Sequence, residues 1–561
     1  MTGALNTANL LRAVLLATVC LGAFIDVRRR QHADAVPSHG ARSHGARSHG
    51  ARSHGARSLA RGALAVWSAI AIAFTVFLWV DHIRFPFLLD LMEGTILQHV
   101  ARAAHGLPVY PVPAPGFVSL AYNPLYYYLC APVTWVLGLN LPALRLVAIA
   151  GMAGSGAIIY AAVRRWTGSQ WWGLIGLGLF AAAYRVMDAY LDTAHADSWL
   201  LCTALLGTYV IDQATTRTGR IAGAIILVLS FWFKQHGALF ALGGAGFLTF
   251  RDGWRASLPA WAVVALLGAL AYVAAVQWPF GPEFHYFTWD VPRKWSTVNA
   301  GAVVRLARFT ARSYLPLFAA GMIPLVRVWR KRAPLRIWHV QWCCAVASAA
   351  QGALDAGSSD NVFIPFGAFV IVLGTVGLAE CVRANAGAWV QAAQPVAVAA
   401  AFIPLIYAPQ TVILSPHAPA AYADFLNLVN GLDGPLYAPD IGELAGPPLF
   451  QPGAHWVALD DIGRGPGHTD RDRRIAYDLM GPAEHPAGPA YLITNLPLAT
   501  EQPPLSLLGH SYILQTDFGD RFEALAGLPK RYNHRFPRFL YRFSAAPAPG
   551  ASPPAAPPTG A

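Results

Sequence analysis

The stretch Ile225-Ile226-Leu227-Val228-Leu229-Ser230-Phe231-Trp232-Phe233-Lys234-Gln235-His236-Gly237-Ala238-Leu239-Phe240 sets a lysine, a glutamine and a histidine between two uncharged apolar runs. The runs extend over 221–233 and 237–250, and Arg251-Asp252 follows the second. As helices rising about 1.5 Å per residue, thirteen residues span only ~20 Å of a ~30 Å hydrocarbon core. Such a pair is expected to enclose a cavity rather than face lipid on all sides, with its polar turn at one end.

The rest of the chain agrees with a membrane setting. Of 561 residues 55% are hydrophobic and 12% charged, and the mean hydropathy is +0.41. That excludes a soluble multidomain enzyme and implies a polytopic membrane protein with a soluble appendage. The net charge of +12 lies largely in arginines of short loops, so topology explains it better than nucleic acid does. The six cysteines lie in or beside apolar segments, and nothing suggests a disulfide framework.

Residues 1–30 read as an additional apolar helix ending in Arg28-Arg29-Arg30, and 31–61 as a disordered basic linker carrying four tandem Ser-His-Gly-Ala-Arg units from Ser38 to Arg57. Residues 62–408 form the transmembrane domain, with a long external loop over 81–141 whose Asn123–Leu129 part lies at the interface. Arg164-Arg165, Arg217/Arg220, Arg251/Arg255, Arg327–Arg332 and Arg383 alternate with uncharged ends. The positive-inside rule makes those ends cytoplasmic and gives about 11–12 membrane helices. Residues 409–544 alternate strand-like runs (Pro435–Ala438, Tyr491–Thr494) with helical stretches and read as a small α/β domain outside the membrane; 545–561 is a disordered Ala/Pro-rich tail.

On this topology the ionisable groups converge on one face, and that face is the outer one. Asp90 and Glu93 are three apart and would share a helical face, where a carboxylate can act as general base or hold a divalent cation. Asp188, Asp192, His195 and Asp197 occupy the link between two spans, where His195 with two acids can bind metal or simply be solvated. Lys234 is placed for an anionic phosphate or for snorkelling to headgroups. Asp355, Asp360 and Asn361 precede a span, and helix capping accounts for part of that cluster. No phosphate-binding glycine loop, zinc spacing or serine-nucleophile motif is present, so ATP hydrolysis and serine hydrolase chemistry are not expected.

The order of these pieces is Asp90-Leu91-Met92-Glu93-Gly94, Gly106–Tyr110, Tyr122-Asn123-Pro124-Leu125-Tyr126, Asp192–Ser198, Phe233–His236 and Asp360–Pro365. Over about 60–410 it resembles the GT-C membrane glycosyltransferases of the glycosyltransferase family 39 kind, related to protein mannosyltransferases and lipid A aminoarabinose transferase. The resemblance implies a GT-C-like membrane domain and transfer of a sugar from a polyprenyl-phosphate carrier to an extracytoplasmic lipid, glycan or protein acceptor. It further implies a base at Glu93 or Asp90, since Met92 stands where relatives often have Asp. Donor-phosphate contacts fall on Lys234, His195 and His236, with His195 where relatives often have Arg. Asp192, Asp197, Tyr122, Asn123 and Asn361 line the acceptor and donor pocket. The residues single out no cofactor, and a divalent cation fits the chemistry. The competing readings are a flippase for lipid-linked glycans, which would show repeated halves and mid-membrane polar residues, and a non-catalytic envelope scaffold.

Overall fold

A computed structural model describes residues 2–35, 58–296, 300–381, 388–442, 453–480, 488–501, 505–528 and 536–544. The Ser-His-Gly-Ala-Arg repeats, Arg383 and the 545–561 tail lie outside these residues. The chain is mostly helical: α1 (Thr2–Ala35), α2 (Leu59–Arg84), α3 (Met92–Ala104), α4 (Leu125–Leu137), α5 (Leu141–Thr167), α6 (Gln170–Ala182), α7 (Asp197–Gln213), α8 (Arg217–Phe233) and α9 (Gly237–Asp252). Next come α10 (Trp254–Gln277, with a π-helical stretch at Val264–Leu270), α11 (Ala300–Ser313), α12 (Leu315–Trp329), α13 (Ile337–Leu354), α14 (Ile364–Glu380) and α15 (Ala388–Phe402). Among the described residues six helices are long and apolar enough to cross a membrane, or seven if α11 and α12, bent by 98°, count as one span. The other helices of the bundle are shorter, and α8 and α9 exceed the expected lengths only at their arginine-bearing ends.

Local sequence explains the tight joints. A Cβ on Gly237 would lie 2.1 Å from the Ser230 carbonyl carbon, so only glycine lets α9 turn back on α8 within three residues. The first helix belongs to the bundle: it packs on α2 and α15, Arg12 donates to the carbonyls of Ile403 and Ile406, and Asp26 accepts from Ser58 and from the first amides of α2.

The 81–141 segment carries α3 and α4. At the end of α4, Trp135 and Val136 are exposed, as an interfacial helix requires. The C-terminal part contains α16 (Ala418–Asn430), α17 (Trp456–Gly463), α18 (Asp470–Asp478) and a four-stranded sheet. Its strands β1 (Leu436–Tyr437), β2 (Tyr491–Thr494), β3 (Tyr512–Asp517) and β4 (Phe539–Phe543) are ordered β1-β2-β4-β3. β1 runs parallel to β2, and the other pairs are antiparallel. This part sits directly on the α2–α3 link: Leu528 N donates to Leu89 O, and a Cβ on Gly94 would lie 1.9 Å from Ile441 O.

Candidate functional site

The α2–α3 link, the start of α3, the turn between α8 and α9, the end of α13 and the α13–α14 link meet beneath the C-terminal part, around a cavity of about 630 Å³. Asp90, Tyr122, Tyr190, Lys234, His236 and Asn361 line it from the membrane half; Asp460, Asp461 and Arg464 line it from α17 and the residue that ends it. The arginine-bearing ends of α5, α8, α9 and α12 lie at the other ends of their helices.

Asp90 and Glu93 do not share a helical face. The helix begins at Met92, whose amide is accepted by Asp90 Oδ1 at 2.9 Å, so Asp90 stays in the preceding turn and borders the cavity. Glu93 points into the core and is fully buried. Its Oε1 accepts from Arg145 Nε (3.0 Å) and Ala194 N (2.9 Å), and its Oε2 from Arg145 Nη2 (2.6 Å) and Leu89 N (2.8 Å). Arg145 spends its remaining donors on the carbonyls of His82, Phe85 and Phe87. All five guanidinium N–H groups and four carboxylate lone pairs are committed, so Glu93 has none left for a substrate. Arg145 is not among the site residues expected from the sequence. A charged residue inside the apolar run Leu144-Arg145-Leu146 was the signal that a buried acid awaited it.

A second charged node closes the membrane side of the cavity. Lys234 Nζ contacts Asp197 Oδ1 at 2.9 Å and Oδ2 at 3.2 Å, Asn361 Nδ2 donates to Oδ2 at 3.0 Å, and His195 Nδ1 lies 2.6 Å from Oδ2. Lys234 also stands 5.1 Å from the centre of the Tyr122 ring. Asn361 therefore does not cap the following helix; it orients Asp197. His195 lies behind the wall with the Tyr122 and Tyr190 rings against it, and its Nε2 is buried without a hydrogen-bond partner among the described residues. His236 faces the cavity, with Nδ1 3.5 Å from Ser348 Oγ.

Two expected pocket residues lie elsewhere. Asp192 binds His82 Nδ1 at 2.7 Å and Tyr184 OH at 2.8 Å, and His82 Nε2 reaches Val412 O, so this buried triad joins α2 to the segment after α15. Asn123 is buried and donates to Phe231 O beneath the turn of α8. Between α6 and α7 the backbone is irregular, with Asp188 and Ala189 at φ 58° and 56°. That conformation costs roughly 1 kcal/mol or more per non-glycine residue and occurs where the surroundings impose it; it precedes Tyr190 in the cavity wall. Among the described residues no three His, Cys, Asp or Glu side chains are grouped to hold a metal ion.

The contribution of α17 was not foreseen. Asp460-Asp461-Ile462-Gly463-Arg464 places two acids three and four residues before an arginine, a spacing that pairs them on a helix. Asp461 Oδ1 is 2.5 Å from Arg464 Nη2 and Asp460 Oδ2 is 3.5 Å from Nη1. Burial pushes the Asp461 carboxyl up to about 7 against the pull of Arg464, and Asp460 adds to the rise.

No family model matches the sequence. No curated protein matches it. Solved structures do. ArnT from Cupriavidus metallidurans bound to undecaprenyl phosphate superposes with a TM-score of 0.50 at 13% identity, covering 86% of this chain and 98% of that one. The apo state of the same protein gives 0.49 at 13% identity, over 85% and 97%. The fold is of the GT-C kind. At this identity the likeness concerns fold alone; that the chain is a multi-pass membrane protein rests on its own long apolar helices.

Proposed function

We propose that this protein is a membrane glycosyltransferase of the family 39 kind, moving a sugar from a polyprenyl-phosphate carrier to an acceptor at the extracytoplasmic face of the inner membrane. The observation that carries it is one cavity at the outer ends of the spans holding an acid at one wall, Asp90, and a lysine held in place by Asp197 and Asn361 at another. Transfer from a phospholipid-linked sugar needs a base on the acceptor and a cation on the departing phosphate. Asp90 takes the proton from the acceptor hydroxyl or amine as that atom attacks the sugar carbon, and Lys234 stabilises the phosphate as its bond to that carbon breaks. Glu93 positions the turn that carries Asp90. The ArnT structure holding undecaprenyl phosphate supports a polyprenyl carrier here. The positive-inside rule supports the outer placement, since the cavity lies opposite the arginine-bearing ends.

The test is to supply membranes containing the protein with a panel of undecaprenyl-phosphate sugars and follow which is consumed. Consumption of one sugar by wild type and not by Asp90→Asn is expected. Consumption of none, or equal consumption by both, overturns the reading. A reporter active only outside the cytoplasm should report after residue 408 and within 430–540, and stay silent at 328–336; activity at Arg330 overturns the sidedness.

A further inference from the structure

Arg145, fully buried, and Arg464, partly buried, are spent very differently. Arg145 commits all five N–H groups to protein acceptors. Arg464, which lines the cavity from the C-terminal part, has one close contact, Nη2 to Asp461 Oδ1 at 2.5 Å. Its Nη1 is 3.5 Å from Asp460 Oδ2, beyond hydrogen-bonding reach, and its Nε is buried with no partner among the described residues.

The guanidinium is nonetheless held rigidly. It lies over the Trp295 ring at 4.3 Å, and a Cβ on Gly357 would touch its Cδ and Nη1 at 2.9 Å. Behind it, Gly465 (φ +93°) and Gly467 pack against the backbone of Lys294 and Trp295, with Gly467 N donating to Lys294 O at 3.1 Å. A structural arginine uses up its donors; an arginine fixed by its flat face with donors unspent presents a planar edge to an oxyanion. It shares the cavity with Lys234 and Arg293. The Asp355 carboxylate feels both Arg464 and Lys234, and Tyr122 lies beside both. Asp461 engages only Nη2, and burial raises its carboxyl.

We propose that Arg464 is a second phosphate contact of the cavity, so that the C-terminal part closes with Lys234 on the phosphate of the lipid carrier. This rests on the glycosyltransferase reading above and adds to it a residue from outside the membrane domain.

Binding of undecaprenyl phosphate to the full-length protein in nanodiscs tests it, with undecaprenol as the neutral control and inorganic phosphate as the soluble one. Arg464→Gln should weaken undecaprenyl phosphate about tenfold or more while undecaprenol binds as before. Arg464→Lys should recover only part of the loss, and Asp461→Asn should bind at least as tightly as wild type. Unchanged undecaprenyl-phosphate affinity in Arg464→Gln overturns the proposal, as does an equal loss for undecaprenol, which would leave Arg464 a docking residue. Loss of inorganic phosphate alone assigns Arg464 to a phosphate on the acceptor and overturns the carrier contact. If wild type itself ignores undecaprenyl phosphate, the glycosyltransferase reading fails first. Melting temperatures of each variant separate a lost contact from a lost fold.

Discussion

The Glu93–Arg145 and Asp197–Lys234 nodes are both buried ion pairs at the same end of the same helical bundle, yet only one borders the cavity. In the first, every donor and lone pair finds a protein partner, and Arg145 ties the carbonyls at 82, 85 and 87 to α3. In the second, the acid is saturated by Lys234, Asn361 and His195, but the lysine still borders open space. Burial and charge do not by themselves mark a functional group. What marks it is unspent bonding capacity turned toward a cavity.

The largest effect is expected where the closed node is broken. Arg145→Met leaves Glu93 buried and unpaired, a loss of about 3–5 kcal/mol, and folded protein should largely disappear in detergent melting and membrane yield. Glu93→Gln should also lower the melting temperature, because its amide N–H₂ would face donors such as Leu89 N and Ala194 N. A Glu93→Gln protein that melts like wild type but has lost turnover would make Glu93 the base after all.

Asp90 provides the converse. Asp90→Asn should cost about 10²–10⁴ in turnover with the melting temperature closer to wild type than that of Glu93→Gln, because the Asp90 carboxylate borders the cavity whereas that of Glu93 is packed against Arg145 in the core. Turnover that survives Asp90→Asn breaks the contrast at its functional end.

Lys234 sharpens the comparison, since removing it also strips Asp197 of its counter-charge. Lys234→Gln alone should both weaken donor use and lower stability. The double variant Lys234→Gln/Asp197→Asn leaves no buried unpaired charge and should regain stability while remaining about 10- to 150-fold weaker for the donor. Donor affinity restored in the double variant would reduce Lys234 to a structural partner of Asp197.

The smallest effect concerns Asp461. Its carboxyl is raised to about 7 in the folded protein against about 3.9 when unfolded, so between those values the folded state holds more protons. Stability from this group is present below about pH 4 and is lost as pH rises toward 7. Wild type should therefore lose more melting temperature between pH 5.5 and 8 than Asp461→Asn does; parallel profiles would show that Asp461 does not titrate in this range.

By itself the sequence determined the class of this protein. Long uncharged runs can hide their backbone polar groups in a bilayer only as helices, and the arginines at alternate ends set the direction of each. It also brought Asp90, Tyr122, Lys234, His236 and Asn361 to one end of the bundle, because their places at the ends of spans follow from counting residues. Tertiary structure decided which of the acids borders the cavity. The two-residue offset between Asp90 and the start of α3 at Met92 sends Asp90 to the cavity and Glu93 to Arg145, which lies 52 positions away in sequence. The pairing of Asp192 with His82 and Tyr184, and the arrival of Asp461 and Arg464 from α17, depend on long-range packing that no local pattern encodes. Side-chain hydrogen bonds are completed by whichever groups the fold brings near, and near in space is set by the whole chain.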